Sequence, residues 1–316
     1  MKQTPKPFFL KQKPMMRVVY ALIPLVLASI YFFGWRSLVL TCVVLISGIG
    51  TEALFTFRKG TQVTSAVFVT CLIFSLSLPP VVPIWMAVVG IVAGVAIGKM
   101  MFGGFGLNVF NPAMVGRCFI YITFPLQMTN QWTEPFRGGL GGLSFWTGSI
   151  DTLTSATPLG SLHDGISIPW QDLVLGRTAG SLGETSAILI VIGGLFIIYK
   201  KAASWRLALS CLLGGTICTL ILRAAGLEQI PTLLSTLAAG SFLFGAFFVV
   251  TEPVSGAKTK LGQWIYGLMI GILIVILRGF SNFSEGVMFS VLIMNAFAPL
   301  LDQTIHQIQG ARKVKA

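Results

Sequence analysis

The chain has 316 residues, of which 54% are hydrophobic and only 10% charged, and its mean hydropathy is +0.84. Soluble domains carry about 25% charged residues, so this composition excludes one and implies an all-α polytopic membrane protein. The net charge of +12 implies no nucleic acid, because the basic residues follow membrane side and do not line a groove with aromatics.

Residues 1–16 are basic and polar and show no convincing small-residue cleavage site. They read as a cytoplasmic segment leading into the first helix, not as a removed signal peptide. Ten apolar runs follow that are long enough, or nearly so, to cross a bilayer, which takes about 20 residues each. Their predicted limits are 17–34, 36–57, 62–78, 83–102, 108–127, 185–199, 205–224, 230–250, 263–279 and 284–301. The chain thus divides into a first five-helix half (17–127), a hydrophilic connection (128–184), a second five-helix half (185–301) and a tail (302–316).

Placing the N-terminus inside puts sixteen of the 22 basic residues at inner ends, Lys99 among them, and five at outer ends, with Arg117 inside a span. That positive-inside bias sets both termini in the cytoplasm and the 128–184 connection outside. The glycine cluster 138-GGLGG-142 in that connection has no preceding strand and no following G-K-S/T, so it is not a phosphate loop. It suits a loop folded tightly over the helix ends. The tryptophans Trp132, Trp146 and Trp170 read first as interfacial anchors.

Five spans per half is an odd number, so a second copy is inverted relative to the first. A short echo supports such a repeat: 108-NVFNP-112 and 295-NAFAP-299 both read N-x-F-x-P. The runs ending 77-SLPP-80 and 251-TEPVSG-256 read as half-helices stopped by proline. Asn108, Asn111, Arg117, Asn295 and Glu52 all fall at membrane depth, where a polar side chain needs a partner or a function. The asparagines either satisfy backbone freed at Pro112 and Pro299 or hold a polar ligand. Asn108 and Asn111, three apart, share one face if their turn is helical, with 103-GGFG-106 allowing close backbone approach. Arg117 is expected to balance Glu52, and Glu184, Glu252 and Glu285 either cap helices or serve ion access. The five cysteines form no C-x-x-C pair and read as small buried hydrophobes.

The stretch 151-DTLTSATPLG-160 lies in the outer connection, and Pro158 biases Thr157 towards an extended conformation. On local sequence it is a Ser/Thr-rich turn. Four stretches together, 102-FGGFGLNVFNPAMVGRCF-119, 151-DTLTSATPL-159, 251-TEPVSGAKTKLGQWIYG-267 and 283-FSEGVMFSVLIMNAFAPLLDQ-303, resemble the membrane subunit shared by the Rnf electron-transport complex (RnfD) and the sodium-translocating NADH:quinone reductase (NqrB). The resemblance implies ten transmembrane helices in two inverted five-helix repeats and a bacterial inner-membrane location. It also implies FMN bonded through its phosphate to a threonine in a D-x-x-S/T-G-A-T motif, attached by a flavin transferase, with a second, non-covalent riboflavin. On this chain Thr157 matches the flavin-bearing threonine, Asp151 the leading acid, and Asn108 and Asn111 the asparagines associated with riboflavin. Ser155 stands where the family has glycine, and Thr154 where serine is commoner.

The leading expectation is an RnfD-like electron-carrying subunit of an ion-motive complex, working with partner subunits. An NqrB-like subunit passing electrons to quinone is the near rival. A solute channel or transporter without flavin is the alternative of another class. An enzyme acting alone is disfavoured, because His163 and His306 lie apart and no nucleophile–base set or metal cluster is evident.

Overall fold

The computed structural model describes residues 8–129, 132–136, 138–146, 170–176, 178–184, 186–227, 229–239, 241–281 and 286–314. Pro14 sits in the first turn of α1 (Lys13–Phe33), where its missing N–H costs nothing. Gly34, at φ 87°, reverses the chain directly into α2 (Trp35–Lys59). That helix ends at the left-handed Gly60, with Arg58 and Lys59 in its last turn, an arrangement favoured by the helix dipole. A short parallel pair, β1 (Phe9–Leu10) with β2 (Val63–Thr64), ties the N-terminal segment to the stretch after α2.

The next helix, α3 (Ala66–Leu76), has 11 residues, and ten of them are buried. At about 1.5 Å per residue it covers about half of a hydrocarbon slab roughly 30 Å thick. The predicted half-helix ending at 77-SLPP-80 is therefore present, shorter than the 62–78 run. α4 starts at Ile84 and closes in a π turn at Ala96–Met100. α5 (Pro112–Thr123) follows, packed so closely on α4 that a Cβ on Gly94 would lie 2.5 Å from the Pro112 carbonyl oxygen. Small residues let helix backbones touch in this way. A one-turn helix, α6 (Pro125–Thr129), opens the connection and α7 (Trp170–Leu175) lies near its end.

The second half comprises α8 (Ala187–Tyr199), α9 (Trp205–Ala224), α10 (Leu233–Ala238), α11 (Phe242–Phe244, running into a π turn at Gly245–Val249), α12 (Lys260–Phe280) and α13 (Gly286–Val314). α9 and α12 meet backbone to backbone: Gly214 faces the Leu268 carbonyl, Gly267 the Ser210 side chain and Gly271 the Cys211 carbonyl. The predicted 230–250 span is broken at Ala239, whose backbone is extended. Arg278 from α12 donates to the carbonyls of Thr236 (3.3 Å) and Ala239 (3.0 Å), satisfying groups that the break frees.

Five helices among the described residues are long and apolar enough to cross a membrane: Lys13–Phe33, Trp35–Lys59, Trp205–Ala224, Lys260–Phe280 and Gly286–Gln309. Ala66–Leu76, Ile84–Met100 and Ala187–Tyr199 are shorter apolar helices. Leu27, Ile46, Leu54 and Ile192 are well exposed on these helices, the outward apolar surface of a multi-pass membrane protein. All five cysteines are free. Cys71, Cys211 and Cys218 are buried as expected, whereas Cys42 is exposed and Cys118 half-buried, since both fall on outward helix faces.

Candidate functional site

Two polar regions stand out, one at each end of the molecule. At the end where α1 turns into α2, the connection is fastened to the first half by main-chain bonds. Trp35 and Arg36 N–H groups donate to the carbonyls of Phe145 (3.2 Å) and Trp146 (2.9 Å), and Phe136 N–H to Phe32 (2.9 Å). The Trp35 indole donates to the Leu143 carbonyl at 2.8 Å. The glycine cluster makes this fit possible: a Cβ on Gly141 would lie 2.8 Å from the Tyr31 carbonyl oxygen, and one on Gly142 2.7 Å from that of Ile30. The far side of the connection is fastened too, with Leu182 and Gly183 N–H groups donating to Leu78 (3.1 Å) and Leu76 (2.7 Å) carbonyls at the end of α3. The connection is thus held at both ends over the first half. Asp151, Ser155 and Thr157 lie outside the described residues, as do His163 and Glu285.

Trp146 is exposed, in keeping with an interfacial anchor, but Trp132 is buried and donates to the Thr129 carbonyl at 2.6 Å. It pins the start of the connection instead.

The other end holds a charge cluster. Lys99, in the π turn closing α4, is buried at 2% exposure, although its place at a helix end suggested a solvated charge. Its ammonium lies 2.6 Å from Glu52 Oε2 and 2.8 Å from Thr64 Oγ1. Thr64 in turn donates to Glu52 Oε1 through its N–H (2.9 Å) and its hydroxyl (2.7 Å). The partner of Glu52 is therefore Lys99, not Arg117. Arg117 instead donates to the carbonyl of Ser77 at the C-terminal end of α3, where a cation suits the helix dipole. The 47-residue separation of Lys99 and Glu52 hid their pairing; the usable signal was that Glu52 falls at membrane depth and needs a partner.

Asn108 and Asn111 do not share a helix face, because α5 begins only at Pro112 and glycines 103, 104 and 106 take positive φ before it. Asn111 is the N-cap: its side chain accepts from Ala113 N–H (3.0 Å) and Met114 N–H (3.4 Å). Its own N–H donates to Asn295 Oδ1 at 3.0 Å, so the two N-x-F-x-P stretches do meet. Asn295 also donates to Tyr266 Oη (2.7 Å) and the Ser255 carbonyl (3.2 Å). Their prolines differ in role. Pro112 starts a helix, while Pro299 lies inside the continuous α13.

Asn108 donates to the Phe110 carbonyl at 3.2 Å, and Glu252 accepts from the Ser255 hydroxyl. Asn108, Asn111, Glu252 and Lys99 line one crevice of about 20 Å³, room for a single water. Asn111 and Asn295 bind protein groups in this arrangement. Next to the crevice, between Leu10, Glu52, Lys59, Gln62 and Gly104, is a vestibule of about 450 Å³. No group of three or more metal-ligating side chains occurs among the described residues.

Residues 9–310 match the model of the NQR2, RnfD, RnfE family. Among curated proteins, the NqrB subunit of the Na(+)-translocating NADH-quinone reductase of Ectopseudomonas mendocina (strain ymp) is 38% identical over 275 residues. The proteins of the same name from Pseudomonas aeruginosa (strain LESB58) and Azotobacter vinelandii (strain DJ / ATCC BAA-1303) are 36% and 35% identical. Each alignment covers 83% of this chain and 65% of the relative, so the chain spans a little under two thirds of their length. The chain is a member of the NQR2, RnfD, RnfE family.

Proposed function

We propose that this protein is the flavin-carrying membrane subunit of an ion-translocating redox complex, with FMN esterified through its phosphate to the Thr157 hydroxyl. The observation that carries this reading is the anchored connection: both of its sides are bonded to the first half's helix ends, which keeps a tethered group close to the membrane-embedded helices. Asp151 and Ser155 flank the acceptor in the motif. When bound, the FMN supplies the electron-transfer chemistry; the protein sets its distance from the helices and its surroundings. Family membership and the relatives' names support electron and ion transport as the setting. Those names favour the NqrB-like assignment, in which quinone is the acceptor. An RnfD-like assignment, with ferredoxin and NAD as the redox partners, is the second reading.

The topology proposed is ten membrane segments in two inverted halves in a bacterial plasma membrane, with both termini cytoplasmic and the connection outside. Three features support it: the basic residues concentrate at one side, α5 packs on α13 and α1 on α8, and the two N-x-F-x-P stretches touch. The remaining electron steps fall to partner subunits, and a flavin transferase loads Thr157.

In-gel flavin fluorescence after denaturing electrophoresis tests the attachment, with wild type and Thr157→Val each co-produced with a flavin transferase. A glowing wild-type band and a dark variant are expected. A dark wild-type band, with the transferase active on another substrate, overturns covalent attachment and leaves the channel or transporter reading in its place.

A further inference from the structure

The vestibule and the crevice adjoin at Phe105, with Lys99 on the crevice lining. Phe105 lines both cavities, and the Lys99 ammonium lies 5.9 Å from its ring centroid. On the vestibule side, Lys99 is bonded to Glu52 and Thr64. On the crevice side it shares the cavity with Glu252. Glu252 itself accepts from a neutral donor, the Ser255 hydroxyl, and Asn108 lines the same crevice.

One ammonium therefore bonds a carboxylate from the first half of the chain, Glu52, and lines a crevice with a second from the other half, Glu252. With all three ionised the group is one positive charge short, and an unpaired charge at a half-buried site is costly. The backbone on both sides is of an unusual kind. Lys99 belongs to the π turn Ala96–Met100, and Glu252 follows the π turn Gly245–Val249 by three residues. Such turns are rare and concentrate at functional sites. The flexible four-carbon stem of lysine gives its ammonium the freedom to change partners.

We propose that Lys99 is an exchangeable counter-ion shared by Glu52 and Glu252. Bonded to Glu52, as in this structure, it closes the vestibule off from the crevice. Moved to Glu252, it neutralises the second-half carboxylate and leaves Glu52 open to the vestibule. Whichever carboxylate it leaves takes a proton or a small monovalent cation in its place. This inference does not depend on flavin attachment and is tested without it.

The test is a thermal-unfolding cycle on the full chain in lipid nanodiscs, using Glu52→Gln, Glu252→Gln and the double variant. Either single replacement leaves Lys99 one carboxylate, while the double strands the ammonium. The melting temperature of the double variant is therefore expected to fall by more than the sum of the two single losses. Adding Lys99→Met to the double variant is expected to recover most of that fall. Additive losses, with Glu52→Gln alone accounting for the drop, overturn the proposal. If the double variant does not fold but the triple variant does, the stranded charge is the cause and the proposal holds. If the triple variant fails too, shape rather than charge is responsible and the proposal fails.

Discussion

The two ends of the molecule are fastened by different physics. At the α1–α2 turn the connection is held by main-chain hydrogen bonds and by glycines that leave no gap for a side chain. At the opposite end, Lys99, Glu52 and Thr64 are held by charge and charge-assisted hydrogen bonds within a few ångströms. Main-chain fastening spreads the work over many bonds and depends on shape. Charge fastening concentrates it in one side chain and depends on ionisation. The first arrangement suits a loop that must stay in place; the second suits a site that can change state.

Replacing Lys99 with methionine should have the largest effect, because it leaves the buried Glu52 carboxylate without its cation. A loss of about 3–5 kcal/mol is expected for breaking a buried pair from one side, read as a lower melting temperature in nanodiscs. If Lys99→Met instead matches wild type, the two ends are not fastened differently. At the main-chain end, Gly34→Ala should cost about 1–3 kcal/mol, since the new methyl meets the Phe145 carbonyl oxygen at 2.7 Å and the position has φ 87°. Its distinguishing sign is local: faster proteolysis within the connection while the helices stay resistant. Uniform unfolding without selective cleavage would mean that the connection is not separately fastened.

Between the two ends lies a neutral contact, and it serves as the control. Asn295→Ala leaves Asn111 N–H without its acceptor and Tyr266 without its donor, for an expected loss of about 1–3 kcal/mol. Tyr266→Phe removes one hydrogen bond only and should cost about 0.5–1.5 kcal/mol. Both losses should be insensitive to ionic strength when measured by thermal unfolding in low and high salt. A strong salt dependence would show that charge reaches this contact as well.

Much of the helical plan could be read from hydropathy, because burial in lipid demands long apolar runs and tolerates few others. The short third helix and its proline stop were legible for the same reason. The break at Ala239 was not, since 230–250 reads as one apolar run and the partner for its carbonyls, the Arg278 guanidinium, comes from 39 residues away in sequence. The asparagines were found but misplaced. Asn111 caps α5 instead of projecting from a helix face, because glycines 103, 104 and 106 delay the helix to Pro112. Lys99 reads as a surface charge because lysine at a helix end usually is one, and its burial follows from packing that no local pattern encodes.

By itself the sequence determined that the chain is a multi-pass helical membrane protein and that its motifs are those of the NQR2, RnfD, RnfE family. These follow from composition and from short local patterns, which each residue carries wherever the chain goes. Only the tertiary structure decided which buried charges pair, that Arg117 serves the end of α3, and that Lys99 and Glu252 line one crevice. Those outcomes depend on contacts between distant segments, and the low dielectric of the interior makes each partner choice count.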